Sequence, residues 1–239
     1  MRSQIGRIRL WGGTFCLLCA FCSPAKEGPR ELEPLIAQLK AGTASESELQ
    51  RFGLQCRGVP FSVERLETTL SPQAHLTILQ VWSSSCDRRT LLLFRKTSRG
   101  WSIVQTIYLR AFYGEQPIVT FPELFKPGEH EILVRGEIVD KGTGMVQRNI
   151  GIYKWIRGRV ELVFDDPEMI HFEVPTETAL FQLDQKSTFT FSHPGTPGVS
   201  VDEVQVITEG TVSLTRFRGC TWSDEASRFR CYEVAPPPK

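Results

Sequence analysis

His75, His130, His171 and His193 are scattered along the chain, and no two of them share the spacing of a two-histidine helix motif. Glu129-His130-Glu131 is the best metal-like triplet, because alternation along a strand puts both carboxylates on one face. A polar entry into a strand explains the same three residues, so no metal ligands and no cofactor are assigned. Asp140, Asp165, Asp166 and Glu168 are the carboxylates that could serve glycoside hydrolysis, which needs two acids at a fixed separation. Their plain reading is as solvated turn residues. No Gly-x-Ser-x-Gly elbow for acyl transfer occurs, and Gly142-Thr143-Gly144 lacks the lysine and following helix of a phosphate loop.

The one concentration of basic and aromatic side chains lies near the C-terminus, where Arg216, Arg218, Arg228 and Arg230 interleave with Phe217, Trp222, Phe229 and Tyr232. Arg216, Arg218, Trp222, Arg228, Arg230 and Tyr232 are the candidate binding residues, for an anionic glycan or a partner protein. A hairpin over 217–233 turning at 223–228 would place Cys220 opposite Cys231 and Trp222 opposite Phe229, since both pairs share the index sum 451. In that register Arg218 faces Glu233, and a surface ion pair is the plain reading.

The other cysteines depend on where the chain resides. A basic head (Arg2, Arg7, Arg9) and an apolar run from Leu10 to Cys22 have the layout of a secretory signal, and the run is short for a membrane span. Ala20 and Cys22 suit a cut before Ser23. Lipid attachment at Cys22 or Cys19 is the alternative, and the bulky Phe21 and Leu18 that precede them argue against it. Export to the periplasm or the extracellular space follows, with no membrane span after signal removal. Four cysteines then remain, Cys56, Cys86, Cys220 and Cys231, which suggests two disulfides. With Cys220 bonded to Cys231, the second bridge is Cys56 to Cys86, worth roughly 3 to 4 kcal/mol by loop entropy. Without the three leader arginines the chain carries 25 basic residues against 27 acids, which gives no broad electrostatic footprint for nucleic acid.

These residues must be positioned by a mostly β body. At 239 residues and 41% hydrophobic content, the chain can bury a real core. After the leader (1–22) and a linker (23–29), a helical cap covers 30–53. Leu32, Leu35, Ile36 and Leu39 have helical spacing and stop at Gly42, and Ser45-x-x-Glu48 is a capping box for a second short helix ending at Gly53. The β-domain runs over 54–234, and a proline-rich tail over 235–239. Strands are expected from Phe61 to Leu66, His75 to Trp82, Thr90 to Arg95 and Trp101 to Leu109. A second group spans Glu131 to Val139, Asn149 to Ile156 and Arg159 to Phe164. A third spans Asp202 to Thr208, Val212 to Phe217 and Arg228 to Tyr232. The groups resemble one another segment by segment, which suggests a sheet unit used three times. Between them, 112–128 reads as a surface crossing, and 165–200 as spacer with one strand at Ser187 to Phe191 and a strong turn at His193 to Gly198.

Phe125-Lys-Pro-Gly-Glu-His-Glu-Ile-Leu-Val134 resembles the turn that opens a blade in the FG-GAP (integrin-alpha-like) β-propeller repeats. Gly128, Glu131 and the Ile132-Leu133-Val134 strand match, and Tyr153-Lys-Trp155 with the Gly158 turn is similar to the next hairpin. The resemblance implies blades. It does not carry over calcium binding, because Glu123, Phe125 and Pro127 stand where three oxygen donors are needed. The sequence therefore predicts a mainly β fold of three antiparallel meanders, propeller-like or alternatively a β-sandwich, with two short N-terminal helices. It predicts an exported binding or structural module of the cell envelope, whose partner is a protein or glycan there. A secreted hydrolase using turn carboxylates is the alternative.

Overall fold

A computed structural model describes residues 29–54, 56–83, 85–109, 116–140, 142, 144–175, 180–191, 200–209 and 212–235. The expected leader, the His193–Gly198 turn and the last four residues lie outside them. Helix α1 (Leu32–Ala41) buries Leu32, Leu35 and Leu39 on one stripe and ends at Gly42. Gly42 has φ +69°, and a Cβ there would meet the Pro60 nitrogen at 3.0 Å, so only glycine fits. Helix α2 (Glu46–Phe52) begins with the expected capping box. The Glu48 N–H donates to Ser45 Oγ at 3.2 Å, and the Ser45 N–H donates to Glu48 Oε2 at 3.0 Å.

All later elements of the described residues are strands. A four-stranded antiparallel sheet joins β1 (Ser62–Ser71), β2 (Ala74–Ser83), β3 (Cys86–Thr97) and β4 (Gly100–Leu109) in chain order. The second sheet has eight strands, again in chain order: β5 (Ile118–Thr120), β6 (Ile132–Val139), β7 (Val146–Ile156), β8 (Arg159–Pro175), β9 (Leu180–Phe191), β10 (Ser200–Glu209), β11 (Val212–Ser223) and β12 (Arg228–Glu233). The mainly β class, the antiparallel meanders and the two short helices are as the sequence predicts. The first strand group forms its own sheet, and the second and third are continuous in the other. No helix of the described residues is long and apolar enough to cross a membrane, which leaves β-barrel spanning unaddressed.

The near-continuous apolar runs of β2 and β3 are explained by burial on both faces. Leu79, Val81, Leu92 and Phe94 pack under the helices, where Phe52 meets Phe94 edge-on at 5.9 Å. Leu76, Ile78, Leu91 and Leu93 face Ile132, Val134 and Val160 of the second sheet. Polar clamps fix the two sheets. The Gln105 amide donates to the Val160 carbonyl and accepts the Val160 N–H, both at 2.8 Å, as a neighbouring strand would. The eight-stranded sheet curls until Phe229 of β12 meets Phe164 of β8 at 5.5 Å, enclosing a third core cluster with Leu133, Ile150, Ile152, Val201 and Cys220.

The expected spacers are corrected, since 112–128 holds the short strand β5. Residues 165–200 are not mostly spacer, because β8 continues through Asp165-Asp166-Pro167 to Pro175 and β9 starts at Leu180. Pro167 has no N–H for the ladder, and it is tolerated because it faces Asn149 at a register shift, where the strand bends and goes on. Its polar composition hid the strand, since both faces of this extension carry charged or polar groups.

Candidate functional site

The terminal hairpin forms in the predicted register. Cys220 pairs with Cys231, Trp222 with Phe229 and Arg218 with Glu233. The Cys220–Cys231 disulfide is present, with the two Cα atoms 4.0 Å apart. Cys56 is disulfide-bonded as well, and the side chain of its expected partner Cys86 lies outside those described.

The pleat divides the six candidate binding residues. Arg218 and Trp222 share the inward face with Cys220, whereas Arg228, Arg230 and Tyr232 point out from β12 opposite Ser223, Thr221 and Gly219. Arg216 is exposed on the inward phase, beyond the part of the sheet that covers a core.

On the inward face, Trp222 and Phe229 stack edge-on at 5.5 Å, and both contact Phe125, at 4.9 and 5.9 Å. The turn that carries Phe125 is thereby docked on the terminal hairpin. Lys154 Nζ lies 4.0 Å from the centre of the Phe125 ring and 3.1 Å from Glu131 Oε1. Glu131 is buried and accepts the Leu124 N–H at 2.8 Å. Burial pushes its carboxyl upward, against the pull of the Leu124 N–H and Lys154.

Arg218 does not act as a surface partner of Glu233. Its guanidinium bridges Asp166 of β8 and Glu203 of β10, whose carboxylate is only 1% exposed. Burial pushes the Asp166 carboxyl up, with Arg218 opposing. Burial also works against the Arg218 charge, yet Asp166 and Glu203 hold its pKa above the ordinary value. Glu203 Oε1 has no hydrogen-bond partner among the described residues. Farther along, a polar cleft of about 440 Å³ is lined by Ile118, Arg135, Glu137, Arg148 and Glu168. Arg135 pairs with Glu168 at 2.8 Å and Arg148 with Glu137 at 3.1 Å.

The carboxylates considered for hydrolysis have separate settings. The side chain of Asp140 accepts the Gly142 N–H at 2.9 Å and shapes a turn. Asp165 is exposed beside Tyr108 and Tyr153 in a cleft between the sheets. Asp166 and Glu168 are each held by an arginine. Among the histidines, His75 Nδ1 contacts Thr69 Oγ1 at 2.8 Å and His130 Nδ1 contacts the Thr69 carbonyl at 3.1 Å. His171 Nδ1 contacts Asp184 Oδ1 at 2.6 Å, a bond that raises the His171 pKa. His193 lies outside the described residues. Glu131 of the Glu129-His130-Glu131 triplet is committed to Lys154, and no group of three or more His, Cys, Asp or Glu side chains among the described residues could hold a metal ion.

Sequence reasoning did not mark Glu203, because the apolar alternation of β10 falls on Val204 and Val206, which are exposed, whereas Glu203 shares the buried phase with Val201, where an acid requires a partner. Of the expected patch, Arg228, Arg230 and Tyr232 form an exposed outward row on β12, and Arg216 is exposed on the opposite face. No family model, curated protein or solved structure matches this chain.

Proposed function

We propose that the protein is an exported, non-catalytic interaction module of the cell envelope. In this reading the solvent face of its terminal hairpin binds an acidic glycan. The observation that carries the reading is the outward row on β12: Arg228 and Arg230 are exposed and have no ion pair among the described residues, and Tyr232 is 51% exposed beside them. Side chains two apart on one strand stand about 7 Å from each other. Two guanidinium forks at that spacing suit carboxylate or sulfate groups on successive sugars, and an exposed phenol ring offers a flat apolar surface for a pyranose. The Cys220–Cys231 bond and the packing of Trp222 and Phe229 on Phe125 make the platform rigid, which lowers the ordering cost of binding. Asp202 is exposed on the same side, level with Gly219 and Tyr232, and sets one end of the row against further negative charge.

The secretory leader and the bonded cysteines support export, because such bonds persist in oxidising compartments. Three of the four acids that could serve hydrolysis are engaged, Asp166 by Arg218, Glu168 by Arg135 and Asp140 by the Gly142 turn, which also favours binding over catalysis.

The test is titration calorimetry with heparin-derived and polygalacturonate oligosaccharides, and dextran as the uncharged control. Wild type should bind the acidic oligosaccharides with an affinity that falls as salt rises, and R228A/R230A should lose at least about tenfold. Equal binding by the double variant would overturn the proposal. So would binding to poly-glutamate with none to the glycans, which would make the partner a protein.

A further inference from the structure

Strand β12 covers only part of β11. It pairs with 218–223, and the Val234 N–H adds one bond to the Phe217 carbonyl at 2.9 Å. Val212 to Arg216 pair with β10 on one side and have no strand on the other among the described residues. The sequence that follows, Pro236-Pro237-Pro238, offers no N–H for a ladder. The segment, open among the described residues, also exposes apolar side chains, Val212 at 68% and Leu214 at 47%. An edge of this kind is a template for another strand.

We propose that the open edge of β11 pairs, antiparallel, with the same edge of a second copy of this chain, around a twofold axis at Leu214. Two observations fix this register. The Phe217 carbonyl points toward the β12 side, so the backbone groups of Ser213 and Thr215 share that direction, and the even-numbered residues direct theirs to β10. The close Cα approach of Cys220 and Cys231 fits the same parity, being a pair that exchanges no hydrogen bonds. Centring on Leu214 therefore sets Ser213 opposite Thr215 of the partner and Thr215 opposite its Ser213. The edge-facing backbone groups of Ser213 and Thr215 are all used, and Val234 keeps its bond to the Phe217 carbonyl.

The same register brings the two Leu214 side chains together at the position of closest approach. It places Val212 beside the partner's Arg216 and keeps the two Arg216 side chains about 14 Å apart, beyond the Debye length of about 8 Å. A parallel register would set Arg216 against Arg216. The part-length cover by β12 leaves a notch that the same five residues of a second copy fill. This inference is independent of glycan binding, which uses β12.

The experiment is sedimentation velocity on the disulfide-intact protein across a hundredfold concentration range, with L214K and L214C. Wild type should show a concentration-dependent dimer. L214K, at a half-exposed position, should keep the native circular dichroism and shift association at least tenfold toward monomer. Under mild oxidation, L214C should form a covalent dimer through the thiols on the axis, while S213C, which faces Thr215, should not. A monomer at every concentration, or equal cross-linking of L214C and S213C, would overturn the proposal.

Discussion

Replacing Arg218 with methionine keeps most of the side chain's apolar stem and removes its charge. Two inward carboxylates then lose their shared cation: Glu203 at 1% exposure and Asp166 at 17%. Removing one partner of a buried ion pair costs about 3 to 5 kcal/mol. Arg218 is itself 31% exposed, so water screens part of the loss, and the lower end, about 3 kcal/mol at pH 7.5, is the expected figure. Glu203 Oε1 already has no hydrogen-bond partner among the described residues, so R218M leaves that carboxylate still less satisfied. The sign of the pH dependence follows from Asp166, whose carboxyl burial raises even with Arg218 in place. Without the guanidinium it rises further. An acid with a folded pKa above its unfolded value of about 4 holds more protons folded than unfolded between the two, so its stability contribution is full below pH 4 and is lost as pH rises. The R218M deficit should therefore shrink between pH 7.5 and 4.5. Urea unfolding followed by tryptophan fluorescence, with disulfides intact, measures it. D166N/E203Q/R218M, which removes the buried charges together, should regain most of the loss. A deficit below about 1 kcal/mol that stays flat with pH would refute a buried ion triad.

The remaining predictions concern exposed sites. His171 should titrate above the ordinary histidine value of about 6.5 by NMR, and D184N should bring it back, because the hydrogen bond to Asp184 is the largest cause of the rise. The pair's contribution is present below pH 6.5 and disappears as pH passes the raised value; an unchanged His171 in D184N would show that the contact does not govern it. S45A should destabilise the protein by about 1 kcal/mol through loss of the α2 cap, read by urea unfolding. It should also raise the Glu48 pKa, which the Ser45 side chain lowers first among its causes, so the stability that Glu48 adds above its unfolded pKa, and loses as pH falls, should diminish. An unchanged Glu48 titration would contradict the capping-box account.

What the sequence made legible was local or arithmetical. The helix stripe Leu32, Leu35, Leu39 and the Ser45–Glu48 box follow from 3.6-residue spacing and cap chemistry. The hairpin register followed from requiring one index sum to join both the cysteines and the aromatics. The division of the basic cluster was not legible, because alternation shows that Arg218 and Tyr232 lie on opposite faces but not which face meets a core. Apolar neighbours are poor guides there: Tyr232 and Val234 are exposed, while Glu203 is buried. The length of β8 was hidden for a related reason, since Pro167 marks a strand end unless a bulge receives it.

The inward charges make more sense as a specification of strand register than as a source of stability, since each pair joins different strands. Glu131, immediately before β6, and Lys154 tie the entry of β6 to β7, Arg135 and Glu168 tie β6 to β8, and Arg218 ties β11 to both β8 and β10. A one-residue slip of β11 would turn Arg218 to the solvent side and leave Asp166 and Glu203 facing the core without a cation. The same slip would remove Cys220 from Cys231 and Trp222 from Phe229. Electrostatic, covalent and packing penalties thus fall on one error. An eight-stranded meander with exposed valines on its last hairpins, and little else to fix their pairing, has need of such a penalty, because weakly specified strands slip and associate. Arg218 therefore belongs to the positioning of the hairpin, and the row formed by Arg228, Arg230 and Tyr232 depends on it without Arg218 touching any ligand.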